Sequence, residues 1–203
     1  MVAVPEALAE STPRIGVLAL QGDADAHAQA LTDVGVRAVP CRLPKHLEGL
    51  DGLVIPGGES STLLTLMTRD GMFEALRAFV ETKPVFGTCA GCILLARRVR
   101  QPAQPSLQAL DVTVERNAYG RQTESVIVTA PTTLPGAPLE TVYIRAPQIV
   151  ESGPSVEILA SRDGTPTLVR QGHVLAATFH PELSTDRRVH HLFHDIVTQY
   201  AAR

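Results

Sequence analysis

The stretch KPVFGTCAGCILLA, Lys83 to Ala96, sets Cys89 between two glycines where one apolar run gives way to another. The spacing G-x-C-x-G matches the sharp strand-to-helix turn called a nucleophile elbow, with sulfur in place of the usual serine oxygen. Glycines two residues to either side, Gly87 and Gly91, permit the turn and let strand and helix approach closely. A cysteine at a helix N-terminus also faces unpaired N–H groups, which favour the thiolate over the thiol. Three roles fit Cys89 on these grounds: a catalytic nucleophile, half of a redox pair with Cys92, or a buried structural thiol.

Two further segments carry chemistry. His180-Pro181-Glu182 follows the apolar run VLAATF. In an extended chain residues i and i+2 point the same way, so His180 and Glu182 are expected side by side, with Pro181 fixing the backbone between them. A carboxylate beside an imidazole holds its tautomer and stabilises the imidazolium formed after proton abstraction. Cys89, His180 and Glu182 would then supply nucleophile, base and orienter. The third segment, Pro56-Gly57-Gly58-Glu59-Ser60-Ser61, is a glycine pair running into a helix start. Backbone N–H groups freed there can hold an oxyanion or a carboxylate, although a plain turn with a serine cap reads the same residues. A His-x-Glu alone is usually structural. Joined to an elbow cysteine and a glycine turn, it reads as a site.

Such a site needs strands that deliver their carboxyl ends to one place. The sequence predicts strands at Arg14–Leu20, Val36–Arg42, Asp51–Ile55 and Pro84–Gly87. Helices are predicted at Asp23–Val34, at Ser60–Ala78 with a break near Gly71, and at Ala90–Val99. This alternation predicts a single α/β domain, a mostly parallel doubly wound sheet with helices on both faces. From Asp111 onward the signals become short strands (DVTVERN, ESVIVTA, TVYIRA, VEILASR, TLVRQ, HVLAATF), expected as additional antiparallel pieces. Asp186–Ala202 is expected as a closing helix, and Arg100–Ser106 as a loop.

The 203 residues are enough for one full core. With net charge −3 and no basic block longer than two adjacent arginines, the chain offers no polybasic face for nucleic acid or membrane. Its apolar runs are strand-length, too short to span a bilayer. Residues 1–13 have no secretory-signal pattern and are expected to be a disordered tail before a domain at 14–203. Three cysteines, an odd number, point to a reducing cytoplasm rather than a disulfide scaffold.

GTCAG, PGGES and FHPE, taken with ALQGD at Ala19–Asp23, ERNAYGRQ at Glu115–Gln122 and YIRAP at Tyr143–Pro147, carry a family resemblance. The chain resembles the class I, triad-type glutamine amidotransferases, and within them the glutaminase subunits of pyridoxal 5′-phosphate synthases. The resemblance implies hydrolysis of L-glutamine to L-glutamate and ammonia, the ammonia passing to a partner synthase for vitamin B6 biosynthesis, with no cofactor and no metal. It implies Cys89 as nucleophile, His180 as base and Glu182 as orienter. It places glutamine against Gly58, Glu59, Ser60, Arg116, Ile144 and Arg145, where a guanidinium suits the substrate carboxylate. The oxyanion hole would combine the Ala90 N–H with one from the Gly57-Gly58 turn. Two features depart from the family pattern: Cys92, where an aliphatic residue is expected, and the segment Arg100–Leu110.

Other readings compete. Cys89-Ala90-Gly91-Cys92 is a C-x-x-C, the spacing of a redox pair, but redox chemistry leaves PGGES and His-Pro-Glu without a purpose. Cys92 itself is either a core residue or a second thiol that could close a reversible disulfide and shield Cys89 from over-oxidation. His190 and His194 are an i, i+4 pair that could clip a metal, yet a solvated helix face is the plainer expectation. Cys41 reads as a small buried hydrophobe. A glutaminase serving another synthetase, or an interaction subunit without turnover, are the remaining alternatives.

Overall fold

The computed structural model describes residues 12–116 and 126–202. The expectation of a disordered N-terminal tail falls almost wholly outside these residues, as does most of ERNAYGRQ, of which Glu115 and Arg116 are described. Five strands are parallel neighbours: β1 (Ile15–Leu18), β2 (Ala38–Cys41), β3 (Gly52–Ile55), β4 (Val85–Thr88) and β12 (Val174–Ala177). Two antiparallel strands, β10 (Glu157–Arg162) and β11 (Thr165–Gln171), extend that sheet at one edge, giving the order β10-β11-β12-β4-β3-β1-β2. Strands β1, β3, β4 and β12 are buried along their whole length, as their near-continuous apolar sequences require.

The pleat sends alternate side chains into two separate cores. On one face, Leu53, Ile55 and Val85 pack under helices α2 (Ser60–Arg69) and α3 (Met72–Thr82) and the short α4 (Ala90–Leu95). On the other, Val54 and Phe86 pack under α1 (Ala24–Asp33) and α5 (Arg188–Ala201). The predicted doubly wound architecture is therefore the one observed. Gly71, at φ 72°, breaks α2 from α3 where the sequence predicts an interruption.

Two boundaries differ from expectation. The helix predicted over Ala90–Val99 ends at Leu95, and Ala96–Arg100 is instead strand β5. It pairs parallel with β6 (Leu110–Glu115), which pairs antiparallel with β9 (Gln148–Ser152), a strand not predicted from sequence. Ala96 and Val99 face the core while Arg97, Arg98 and Arg100 face solvent toward Asp111 and Glu151, and an irregularity between Ala96 and Arg98 turns two successive arginines outward. A hairpin of β7 (Val126–Ala130) and β8 (Leu139–Tyr143) completes the fold.

Candidate active site

The three segments singled out by residue type emerge from three adjacent strands. Pro56-Gly57-Gly58 follows β3, Cys89 follows β4 and His180 lies three residues beyond β12, and these strands are neighbours in the order β12-β4-β3. The next strand along, β1, sends out Ala19–Gly22. Sheet order alone brings the chemistry together at the carboxyl edge.

Cys89 caps α4 with φ 48° and ψ −102°, a conformation that a non-glycine residue holds only when its surroundings enforce it. Those surroundings are the flanking glycines. A Cβ on Gly91 would lie 2.0 Å from the Ile55 carbonyl oxygen, and one on Gly87 would lie 2.6 Å from the Gly91 carbonyl. The strand, the helix and β3 thus touch through bare backbone. Gly57 completes the crowding, since a Cβ there would lie 2.4 Å from His180 Cε1 and 3.3 Å from Cys89 Cβ. Ala90 opens α4, so its N–H is one of the first-turn donors that no intrahelical carbonyl reaches. Gly58, at φ 147°, turns the neighbouring peptide toward the same cleft.

His180 and Glu182 meet as expected, Nδ1 to Oε1 at 2.8 Å. The geometry behind the contact is different from the extended chain predicted: Pro181–Leu183 is a single turn of 3₁₀ helix, and it is this turn that swings the carboxylate back under the ring. The Nδ1–H donates to the carboxylate, which leaves Nε2 free to exchange a proton in the cleft that Cys89 and His180 both line. Burial alone would lower His180, but the Cys89 sulfur and the Glu182 carboxylate outweigh it and push the imidazole up to about 10. Glu182 is buried too, which would raise it, yet His27 and His180 hold it below the usual carboxylate range. The Cys89 sulfur lies 3.9 Å from the Ile144 carbonyl oxygen.

These groups open onto a cleft of about 170 Å³ lined by Gly58, Glu59, Ser60, Cys89, Ile93, Arg116, Ile144, Arg145 and His180. Each of the six residues expected to hold substrate is on its wall. Small volume and convergent polar groups suit a ligand of amino-acid size. Glu59 caps α2, accepting from the Ser61 and Thr62 backbone N–H groups at 3.2 and 2.7 Å and from both hydroxyls. Partial burial would raise this carboxyl, but those donors from Thr62 and Ser61 hold it at about 2. It also anchors Arg116, whose guanidinium reaches Glu59 Oε1 at 3.2 Å and Ser61 Oγ at 2.7 Å. Arg145 is exposed and held at φ 45°, again in a region that favours glycine. Gln21 Oε1 accepts from the Glu59 N–H, and Gly22, at φ 93°, lies where a Cβ would fall 1.8 Å from the Gly57 carbonyl oxygen. The irregular segment predicted to depart from the family pattern touches the site as well, through Gln104 Oε1, which accepts from Ser60 Oγ at 3.2 Å.

Several functional neighbours were not anticipated. His27, wholly buried, lies 3.3 Å from Glu182 Oε2 and joins Thr88 Oγ1 and His190 at 3.0 and 3.2 Å. The signal was present: His27 sits on the Ala24–Leu31–Val34 stripe of an amphipathic helix, where a polar residue needs a buried partner. His190 corrects an expectation. It does not belong to a solvated face but is fully buried between α5 and the sheet, whereas His191 is exposed. Among the described residues, no three His, Cys, Asp or Glu side chains are grouped to hold a metal ion. Cys92 and Cys41 are both buried in the apolar core on the α2 face. Burial pushes the Cys92 thiol up to about 12, with Cys89 adding to it, which disfavours its thiolate.

A doubly wound sheet with a cysteine elbow beside a histidine–carboxylate pair is the arrangement that thiol-dependent acyl transfer requires. The chain belongs to the SNO glutamine amidotransferase family, which it matches over residues 17–199. It is 63% identical over 180 residues to the pyridoxal 5′-phosphate synthase subunit PdxT of Koribacter versatilis, covering 89% of this chain and 93% of that one. The subunit of the same name from Thermotoga neapolitana is 49% identical over 187 residues, with 91% and 99% covered. A crystal structure of a glutamine amidotransferase superposes with a TM-score of 0.84 at 45% identity, over 90% of this chain and 98% of that one. Among the described residues no helix is long and apolar enough to cross a membrane.

Proposed function

We propose that this chain is the glutaminase subunit of a pyridoxal 5′-phosphate synthase, a cytosolic protein that hydrolyses L-glutamine and passes the ammonia to a docked synthase subunit. The observation that carries the reading is the convergence of Cys89, His180 and all six expected substrate residues on one small cleft, with Glu182 directly behind His180. In this mechanism the Cys89 sulfur attacks the side-chain amide carbon of glutamine. The developing oxyanion is received by the Ala90 N–H and by the Gly57-Gly58 turn. His180 gives its proton to the leaving nitrogen, the C–N bond of the tetrahedral intermediate breaks, and ammonia departs to leave a thioester on Cys89. Water then adds to the thioester carbon as His180 takes up its proton, and glutamate leaves Cys89. Arg116 and Arg145 supply the positive wall for the α-carboxylate, and Glu59 fixes Arg116 in place.

Partner control fits the packing of Gln21 and Gly22 on the glycine turn, because a synthase that presses on Leu20–Asp23 presses on the oxyanion donors too. The test is glutamate release from L-glutamine, with and without the synthase. Turnover should rise on adding the partner and vanish in Cys89→Ala. A wild-type complex that releases no glutamate would overturn the assignment.

A further inference from the structure

We propose that His27 is a positioning residue for the hydrolysis, its Nε2–H holding the rear oxygen of Glu182 so that the front oxygen stays in line with His180. This rests on the glutaminase reading above. Glu182 is buried and uses Oε1 for His180, while Oε2 makes no hydrogen bond of good geometry to any neighbour, His27 included. The nearest donor is His27 Nε2, at 3.3 Å. An ionised carboxylate with one oxygen buried and unpaired carries a heavy desolvation cost.

The tautomers around His27 decide who donates. If His27 carried its proton on Nδ1, it would donate to His190 Nε2, and a bare lone pair would face Glu182 Oε2. If instead the proton is on Nε2, every donor points one way: His190 Nε2–H to His27 Nδ1 at 3.2 Å, and His27 Nε2–H to Glu182. Thr88 Oγ1, 3.0 Å from the same Nε2, shares that proton. In the second arrangement His190 Nδ1, which has no partner, is an acceptor lone pair rather than a buried N–H, and Glu182 Oε2 faces a donor rather than a lone pair. This arrangement also requires both rings to be neutral. Burial lowers His27 despite the neighbouring Glu182, and burial holds His190 far down. The charged and titratable groups facing His27 are Glu182 and His180 from the turn after β12, His190 from α5, Arg187 just before α5, and Asp23 at the start of its own helix. Arg187 fixes the same turn from the other side, its guanidinium donating to the Glu182 and Ser184 carbonyls. The carboxylate is therefore bonded to His180 through one oxygen, faces the His27 N–H with the other and is fixed at its backbone, and the imidazole it orients is held with it.

Three variants test this in the complex with the synthase. His27→Phe removes the donor, His27→Gln places an amide N–H near the Nε2 position, and His27→Asn places one near Nδ1. His27→Phe should lower kcat by about tenfold to a hundredfold, with KM for glutamine unchanged. His27→Gln should recover most of the loss and His27→Asn should not. The rate at which iodoacetamide alkylates Cys89, followed against pH on the same proteins, reads the triad without glutamine. His27→Phe should slow alkylation below neutral pH, and His27→Gln should restore it. Wild-type kcat and alkylation in His27→Phe would overturn the proposal, and so would equal behaviour of the Gln and Asn variants, a comparison that stands if the Phe variant does not fold. A wild type that alkylates normally but releases no glutamate would strike the glutaminase reading instead.

Discussion

In the proposed mechanism Cys89, His180 and Glu182 act as one unit: all three are buried, and Glu182 shifts and orients His180 at the cleft that Cys89 lines. Cys89→Ala should leave the fold intact and reduce glutamate release to background. His180→Ala should be comparably severe, since residues that act together do not lose activity additively. Glu182→Gln should cost less than either, because it removes an orienter and not a reacting atom. Steady-state turnover of the complex checks all three, and near-wild-type turnover in Cys89→Ala would refute the mechanism. Cys92 gives the contrasting case. With its sulfur in an apolar core and its thiol pushed up to about 12, it has neither the access nor the thiolate character to capture an oxidised Cys89. Mild peroxide followed by dithiothreitol should therefore affect Cys92→Ala and the wild type alike. Reversible inactivation that only the wild type shows would restore the shielding role.

At the scale of elements, the site depends on backbone contacts that only glycine permits. Gly91→Ala would drive a Cβ into the Ile55 carbonyl, an atom fixed in the central sheet, so relief requires moving α4 away from β3. The expected cost is roughly 3 kcal/mol or more, seen in urea unfolding, with activity lost in the protein that remains folded. Gly35→Ala is the control: its Cβ would meet nothing within 4 Å, so it suffers only the positive-φ strain at φ 81°. A milder effect is expected from Glu59→Ala, which removes the α2 cap and costs about 1 kcal/mol; it also frees Arg116 and should raise KM for glutamine more than it lowers kcat. This glycine and cap chemistry was legible in the sequence because it is local: an elbow, a turn and a helix start each declare themselves within six residues. The parallel strands were legible for the same reason, through continuous apolar runs. What was hidden depended on distant partners. Strand β5 looks like a continuing helix until Asp111 and Glu151 are there to receive its arginines. His27 and His190 lie 163 residues apart, and neither declares its burial without the other.

The molecule as a whole has a polar seam beneath the active site, His190–His27–Glu182–His180, running between α5, α1 and the sheet. That seam gives stability a pH dependence with a definite sign. His27 and His190 titrate below 6.5 when folded but near 6.5 when unfolded, so below that pH the unfolded chain binds protons that the folded one refuses, and stability falls. His180 works in the opposite direction. Raised to about 10, it stabilises fully below pH 6.5 and loses that contribution as pH rises through 10, so it adds little change on the acid side. The depressed carboxylates, Glu59, Glu151, Asp33, Asp186 and Glu182, hold their stabilisation above about 4.5 and lose it only at lower pH. Between pH 6.5 and 5 the two buried histidines therefore dominate. Urea unfolding should show a loss on the order of 1–3 kcal/mol across that window. His190→Gln, which removes one of the two groups and keeps an N–H for His27, should show about half of it. A stability curve that is flat from pH 6.5 to 5 would mean that the seam takes up protons in the folded state, and would contradict the neutral donor chain that aims both rings at Glu182.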